Sequence, residues 1–309
     1  MDMIRLGIIG MSVGNAHPYS WSSIINGSFD PAEIARVGYP AVAAYLTANA
    51  DTLGIDGTQV THVWCQEESV ARSIARSAAI PHVVNRMEDM IGHVDAVILA
   101  RDDPGQHMQM ASPFLAADVP LFIDKPLSVT MEELHWFSQQ EAAGKFLMSC
   151  SSMRYAAECR TAKTFLPALG ELQLVTAVGK KDWTTYGIHM VEGLSGMLED
   201  PLPKRVQYVG APDRDIVLVD FAAGFTASFH LFKHISPTFQ FTFYGKEGWH
   251  QVEIQNSYIM FKETILTFVK SLRAKRALLS FTKTYRVIEI VSKALESKAL
   301  NGNPVVIHP

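Results

Sequence analysis

The sequence predicts an α/β protein. An N-terminal doubly wound parallel sheet of the Rossmann kind occupies residues 1–152, and an α+β domain on a mostly antiparallel open sheet occupies 153–309. Two observations carry this expectation. Up to residue 152, short continuous apolar runs alternate with helix-length segments, the pattern of parallel strands covered on both faces. Beyond it, strand-like runs follow one another across short turns, the pattern of an antiparallel sheet.

The first strand is IRLGIIG (4–10), and it runs directly into the turn GIIGMSVGNAHP. The next connection is long. Between Gly27 and Thr58 lie about thirty residues where this architecture normally needs only a few. PAEIARVGYPAVAAYLTANADTLG reads there as two short helices, so residues 28–58 are an ordered insertion: either extra surface packing or a cap near the mouth of a site. The strands VTHVWC (60–65), DAVILA (95–100), LFID (121–124) and KFLMSC (145–150) follow, separated by helical stretches at 68–79, 107–117 and 131–144. In the second half the strand candidates are ELQLVTAVG, RVQYVGA, DIVLVDF, FTASFHLF, FQFTFYG and WHQVEI. One helix, YGIHMVEGLSGML, interrupts them early, and two more close the chain around 258–275 and 284–299.

Composition excludes several classes of function. With 48% apolar and 19% charged residues the chain is ordinary globular material, without the signature of disorder. A formal charge of -4, spread without basic runs, argues against nucleic-acid or anionic-membrane partners. Cys65, Cys150 and Cys159 show neither CxxC nor Cys/His ligand spacing, so no metal is expected and a reduced, cytoplasmic setting is. LGIIG is too short for a signal-peptide core, and nothing approaches the ~20 apolar residues of a membrane span.

The turn after the first strand lies where a dinucleotide-binding domain places its phosphate turn. The fingerprint GxGxxG is not met: Gly10 fits its first position, Ser12 stands at the second, and Gly14 comes one residue early. Gly10, Ser12, Val13 and Gly14 are the candidate pyrophosphate contacts; a tight strand-to-helix turn without ligand remains the alternative. The second strand ends in Trp64-Cys65-Gln66-Glu67, so Cys65 and Gln66 take the place of the acid that normally holds an adenosine ribose. No basic residue sits at this tip to hold a 2′-phosphate, which tilts the choice between NAD and NADP towards NAD.

The stretch VDAVILARDDPGQHMQMASPFLAADVPLFIDKPLSVTMEEL resembles the Gfo/Idh/MocA family of oxidoreductases. That family shows a strand, a polar loop, a His-led helix and a strand ending in Glu-Lys-Pro, here Asp124-Lys125-Pro126. KDWTTYGIHMVEGL (181–194) is similar to the family's catalytic helix, and YGKEGWHQVE to a later glycine-containing turn. The resemblance implies a Rossmann domain joined to a sheet-based domain, oxidising or reducing sugars, nucleotide sugars or cyclitols with NAD(P). Lys125, held at a strand tip facing the ligand crevice, is then the proton-transfer candidate, beside Asp124. His189 matches the family's catalytic histidine, but Thr185 stands where an acid is usual four residues earlier. Acid–base work falls on Lys125 and His189, with Tyr186 as a hydrogen-bond donor. Asp182 and Thr185 neighbour them, Arg154 and Tyr155 match a position that often touches substrate, and Arg101 and His107 flank the loop expected near the nicotinamide ribose. The other readings are an ion pair for Arg154 and a helix cap for His107.

The resemblance implies an NAD(P)-dependent dehydrogenase acting on a sugar-like small molecule. A catalytically silent sensor keeping the fold is the competing reading; it rests on the shortened glycine turn, Cys65 and Thr185. A dehydratase or lyase using NAD transiently is a third. A homo-oligomer, dimer or tetramer, is expected because one face of FTASFHLF and FQFTFYG is polar yet nearly uncharged.

Overall fold

The computed structural model describes residues 3–308 and confirms the α/β class. The chain forms two compact units. The first runs to Ser128 and adds His135–Ser149 and Phe261–Phe281; the second comprises Val129–Leu134, Cys150–Met260 and the chain from Thr282.

The first unit holds a six-stranded, wholly parallel sheet in the order β3-β2-β1-β4-β5-β6. Its strands are β1 (Ile4–Gly10), β2 (Thr58–Cys65), β3 (His82–Val83), β4 (Ala96–Leu99), β5 (Leu121–Ile123) and β6 (Leu147–Ser149). Every residue of β4, β5 and β6 is buried, as expected of central strands covered on both faces. The cover comes from α1 (His17–Asn26), α4 (Glu68–Ser77), α5 (His107–Ala116) and α6 (Met131–Ala142). The insertion forms α2 (Pro31–Arg36) and α3 (Pro40–Ala48), the two short helices expected, then a 3-10 turn at Ala50–Thr52. Chain order reverses between β1 and β4. Both run to C-terminal ends on the same edge, so the crevice characteristic of doubly wound sheets opens there.

The second unit holds a seven-stranded sheet in the order β12-β11-β7-β10-β9-β8-β13. These strands are β7 (Leu172–Lys180), β8 (Pro203–Tyr208), β9 (Arg214–Phe221), β10 (Thr226–Phe232), β11 (Phe239–Gly245), β12 (Trp249–Glu253) and β13 (Val305–Val306). Only β7 and β10 run parallel; the other pairs are antiparallel. Phe225, Ala227, Phe229 and Leu231 are buried under helices, while Thr226, Ser228, His230 and Phe232 point to the half-exposed face. The helices of this unit are α7 (Ala157–Phe165), α8 (Ile188–Met197) and α10 (Phe281–Ala299); α9 (Ser257–Arg273) precedes α10 in the chain. Trp183, fully buried, locks this layer: its indole N–H donates to the Val291 carbonyl of α10 at 3.1 Å.

Most of α9 belongs to the first unit, although it lies past residue 153. Phe268 packs against Phe122 of β5, ring centres 5.6 Å apart, and Phe261 meets His17 of α1 at 5.0 Å. Burying an aromatic of this size contributes about 1.5–3 kcal/mol, enough to return this segment to the parallel sheet.

Candidate active site

The phosphate turn is shaped by two glycines. Gly10 is the register partner of Cys65, and a Cβ on it would fall 2.7 Å from Pro18 Cγ and 3.2 Å from Cys65 Sγ. Only glycine lets α1 start this close to the strand end. Gly14 has φ +80°, and a Cβ there would meet nothing within 4 Å; Val13 beside it is fully exposed. Asn15 closes the turn, its Oδ1 accepting from the His17 amide at 2.8 Å. A turn opened by glycine at the start of a helix fits a pyrophosphate. Cys65, buried at the tip of β2, is not a ribose ligand of the usual kind: burial pushes its thiol up to about 12, so it stays neutral. Gln66 is pinned across the turn, donating to the Met11 carbonyl at 2.7 Å.

The tips of β4 and β5 carry the charges. Asp124 is buried, its Oδ2 accepting from Asn15 Nδ2 at 3.0 Å and lying 2.5 Å from His17 Nδ1. Its Oδ1 accepts from the Lys125 amide at 2.8 Å. Burial would raise this carboxyl, but His17, Lys125 and Asn15 outweigh it and hold the group below the ordinary aspartate range. The His17 ring is clamped in turn, stacked on Trp21 at 4.3 Å between ring centres. Lys125 is itself buried, its side chain 10% exposed, and its ammonium lies 3.6 Å from Asp102 Oδ2. The Lys125–Pro126 peptide is cis. Asp102 closes the circuit to the phosphate turn: its carboxylate accepts from the Ser12 hydroxyl, and its amide donates to Ser12 Oγ at 3.0 Å. Ser12, Asp102, Lys125, Asp124, Asn15 and His17 thus join the ends of β1, β4 and β5.

Arg101 and His107 are both buried and held by protein partners. Arg101 crosses the tip of β1 towards β2, where its Nη1 donates to Gln66 Oε1 at 2.7 Å; Nε and Nη2 grip Asp103 at 2.9 and 2.5 Å. His107 is wholly buried and does not cap its helix, whose N-cap is Gln106. Its ring nitrogens lie 3.0 Å from the Leu127 carbonyl and 2.9 Å from the Arg101 carbonyl, binding the loop after β4 to the loop after β5.

In the second unit, Asp182 caps a π-helical turn, Trp183–Gly187, that leads into α8. The expected catalytic helix therefore starts late, at Ile188, with His189 in its first turn. Thr185 lies in the π turn, and both its amide and its hydroxyl donate to Asp182 Oδ1 at 3.0 Å. His189 Nδ1 lies 2.7 Å from Ser151 Oγ. Tyr186 meets His189 edge-on at 5.0 Å, stacks on Phe239 at 5.9 Å, and has Lys181 Nζ 4.2 Å above its ring. Arg154 has the geometry of an internal ion pair. Its side chain, 7% exposed, binds Glu192 and, at 2.7 Å, Asp200. Tyr155, half-buried beside it, accepts at its backbone carbonyl from Arg160 at 3.2 Å.

His17, Asn15 and Asp102 in the first unit, and Ser151, Lys181 and Phe239 in the second, were missed in the sequence. The signal for the first group lay in the motifs already singled out: Asn15 and His17 are in GNAHP, and Asp102 is in the polar loop ARDDP. Ser151 had no such signal, since it meets His189 only through the fold.

Residues 32–146 match the model of the oxidoreductase family with an NAD-binding Rossmann fold, GFO_IDH_MocA. No curated protein sequence matches the chain. Among solved structures, GenD2 from gentamicin A biosynthesis, in complex with NAD, is similar at a TM-score of 0.79 with 15% identity, covering 100% of this chain and 97% of that one. Myo-inositol dehydrogenase from Lactobacillus casei, in complex with NAD(H) and myo-inositol, is similar at 0.78 with 15% identity, covering 99% and 97%. Apo scyllo-inositol dehydrogenase from Lactobacillus casei gives 0.75, 14%, 99% and 98%. At such identities these likenesses speak for the fold. The matched family is the one that the DKP stretch resembles, and the match lies in the part of the chain that forms most of the first unit's parallel sheet. Among the described residues, no helix is long and apolar enough to cross a membrane.

Proposed function

We propose that the protein is an NAD-dependent dehydrogenase or reductase acting at a carbinol carbon of a sugar, nucleotide sugar or cyclitol. The observation that carries this reading is Lys125: a nearly buried ammonium at the end of β5, paired with Asp102 and set on a carboxylate that is itself locked. A surface lysine after an edge strand would show neither the burial nor the partners. The bound nicotinamide would accept or supply the hydride. Gly10, Ser12, Val13 and Gly14 would hold the pyrophosphate, and Lys125 would hold or move the hydroxyl proton of the substrate. His189, oriented by Ser151 and Tyr186, is the second proposed acid–base group. The cyclitol dehydrogenases among the similar structures support the substrate class.

Steady-state kinetics on a polyol and nucleotide-sugar panel, beside NADH titration, test this. Lys125→Ala should cut turnover by about a hundredfold or more while NADH affinity changes much less. Lys125→Arg should not restore turnover, because a guanidinium stays protonated near neutral pH. Near-normal turnover in the alanine variant would sink the assignment. NADH binding without turnover on any substrate would favour the sensor.

A further inference from the structure

The tip of β2 carries no cation in the sequence, but the fold brings one to it. Arg101 starts after β4, passes the end of β1 and places Nη1 on Gln66, the first residue beyond β2. In a doubly wound fold this is the position that reads the adenosine ribose: an acid there holds a 2′-hydroxyl, and a nearby arginine accommodates a 2′-phosphate. Here the acid is missing and the arginine is present. Arg101 is buried, its side chain 8% exposed, yet its charge is cancelled at once by the forked contact to Asp103. Arg72, the other cation near this tip in sequence, is held by Glu68 through an i,i+4 ion pair on the exposed face of α4.

We propose that Asp103 sets cofactor choice by occupying Arg101: the pair leaves a hydrogen-bonding tip without a free cation for the ribose of NAD and denies Arg101 to the 2′-phosphate of NADP. This rests on the NAD-dependent reading above. A guanidinium offers five donors. Asp103 takes the planar Nε/Nη2 edge that a phosphate would otherwise grip, and Gln66 takes one donor of Nη1. A 2′-phosphate reaching the same guanidinium would also meet the Asp103 carboxylate, a like charge in a partly desolvated place where repulsion is screened less than in water. A 2′-hydroxyl meets no such penalty. The Gln66 carboxamide, held by both Arg101 and the Met11 carbonyl, keeps the tip in shape whichever charge balance applies.

The test is calorimetric titration of the full-length chain with NADH and with NADPH, for wild type, Asp103→Asn and Asp103→Asn/Arg101→Gln. The wild type should bind NADH at least about tenfold more tightly than NADPH. Asp103→Asn keeps the shape and frees the charge, so NADPH should tighten by about ten- to a hundredfold, the range of a charge-assisted contact, and NADH should hardly move. The gain should shrink on adding salt and vanish in the double variant. A wild type preferring NADPH, an unchanged NADPH affinity in Asp103→Asn, or a gain surviving removal of Arg101 would each overturn the proposal while leaving the NAD(P) reading in place. Binding of neither nucleotide by a folded wild type would overturn both.

Discussion

Asp124 shows how much a single side chain can organise. Its two oxygens take the Lys125 amide, the Asn15 carboxamide and the His17 ring, so one buried carboxylate links β5, the phosphate turn and the start of α1. Its ionised form is favoured in the folded state, because its folded pKa lies below the ordinary value of about 3.9. A depressed carboxyl contributes stability at pH values above that ordinary value, and the contribution is lost as pH falls through the lower folded value. Asp124→Asn should therefore cost about 1.5–3 kcal/mol near neutral pH, the range for hydrogen bonds to a charged group. Its difference from wild type should narrow as the pH drops below about 4. Denaturation midpoints of both proteins across that range check this; a gap independent of pH would show that Asp124 is not the group titrating. At this scale the sequence was legible wherever a motif had a mechanism. Asp124 and Lys125 stood out because a proline follows them at the end of an apolar run. The pairing of Asp124 with His17, 107 positions away, has no local trace.

The elements were legible in proportion to their length and burial. β1 was expected at 4–10 and is found there, and the helices after β2, β4 and β5 begin where expected, since long periodic or fully apolar segments carry their own signal. The two-residue strands β3 and β13 were not foreseen: each pairs with only one neighbour, and pairing rather than composition makes it a strand. Helix α7 was also missed, because its buried positions are only Cys159 and Ala162 and its run of charges and threonines reads as a loop. The insertion was foreseen as helices, and its packing is substantial. Ile34 and Leu46 are fully buried, and Arg273 of α9 donates to the Asp56 carbonyl at 2.5 Å. It also brings the half-buried Tyr39 close enough for the Asp102 charge to add to burial in raising the phenol. Helix α8 allows a sharper prediction. Glu192 on α8 and Asp200 just beyond it are held to the turn Ser152–Tyr155 by Arg154, all three side chains being nearly buried. Burial lifts the Glu192 carboxyl, while Arg154 is held protonated by its two acidic partners against the effect of burial. Arg154→Met should cost about 3–5 kcal/mol, because it strands a buried carboxylate, and Arg154→Met/Glu192→Leu should recover most of that. Urea denaturation of the three proteins decides; a harmless single substitution would return Arg154 to the list of substrate contacts.

For the whole molecule, the open face of the second unit's sheet sets the question of assembly. Across the register, one row reads Leu218, Ser228, Thr176, Thr242 and Gln251, and the next reads Ile216, His230, Val178, Gln240 and Glu253. The centre is uncharged and partly apolar, and charge enters towards the margins: Glu253 on the outer strand β12, Lys180 and Arg214 at strand ends, and the Arg205–Asp220 ion pair between β8 and β9. Tyr244 and Trp249 on the same edge are 40% and 66% exposed. A sheet face meant for water would normally carry Lys and Glu through its middle, and depletion of charge at the centre is the mark of a covered surface. Five strands at ~4.8 Å spacing and about seven residues at ~3.3 Å rise give a flat area of roughly 500 Å². As rough accessible surface it is larger, the order of the ~800 Å² each partner contributes to a stable interface. Sedimentation at micromolar concentration should therefore show a mass at least twice the 34.2 kDa of one chain. Ser228→Arg/Thr242→Arg places two cations in the middle of the face and should drive the protein to monomer. NADH affinity should stay near that of the wild type, since both positions lie on the second unit's sheet and the residues proposed to hold the pyrophosphate lie in the first. A monomeric wild type would remove the interface from the account and leave the uncharged rows unexplained.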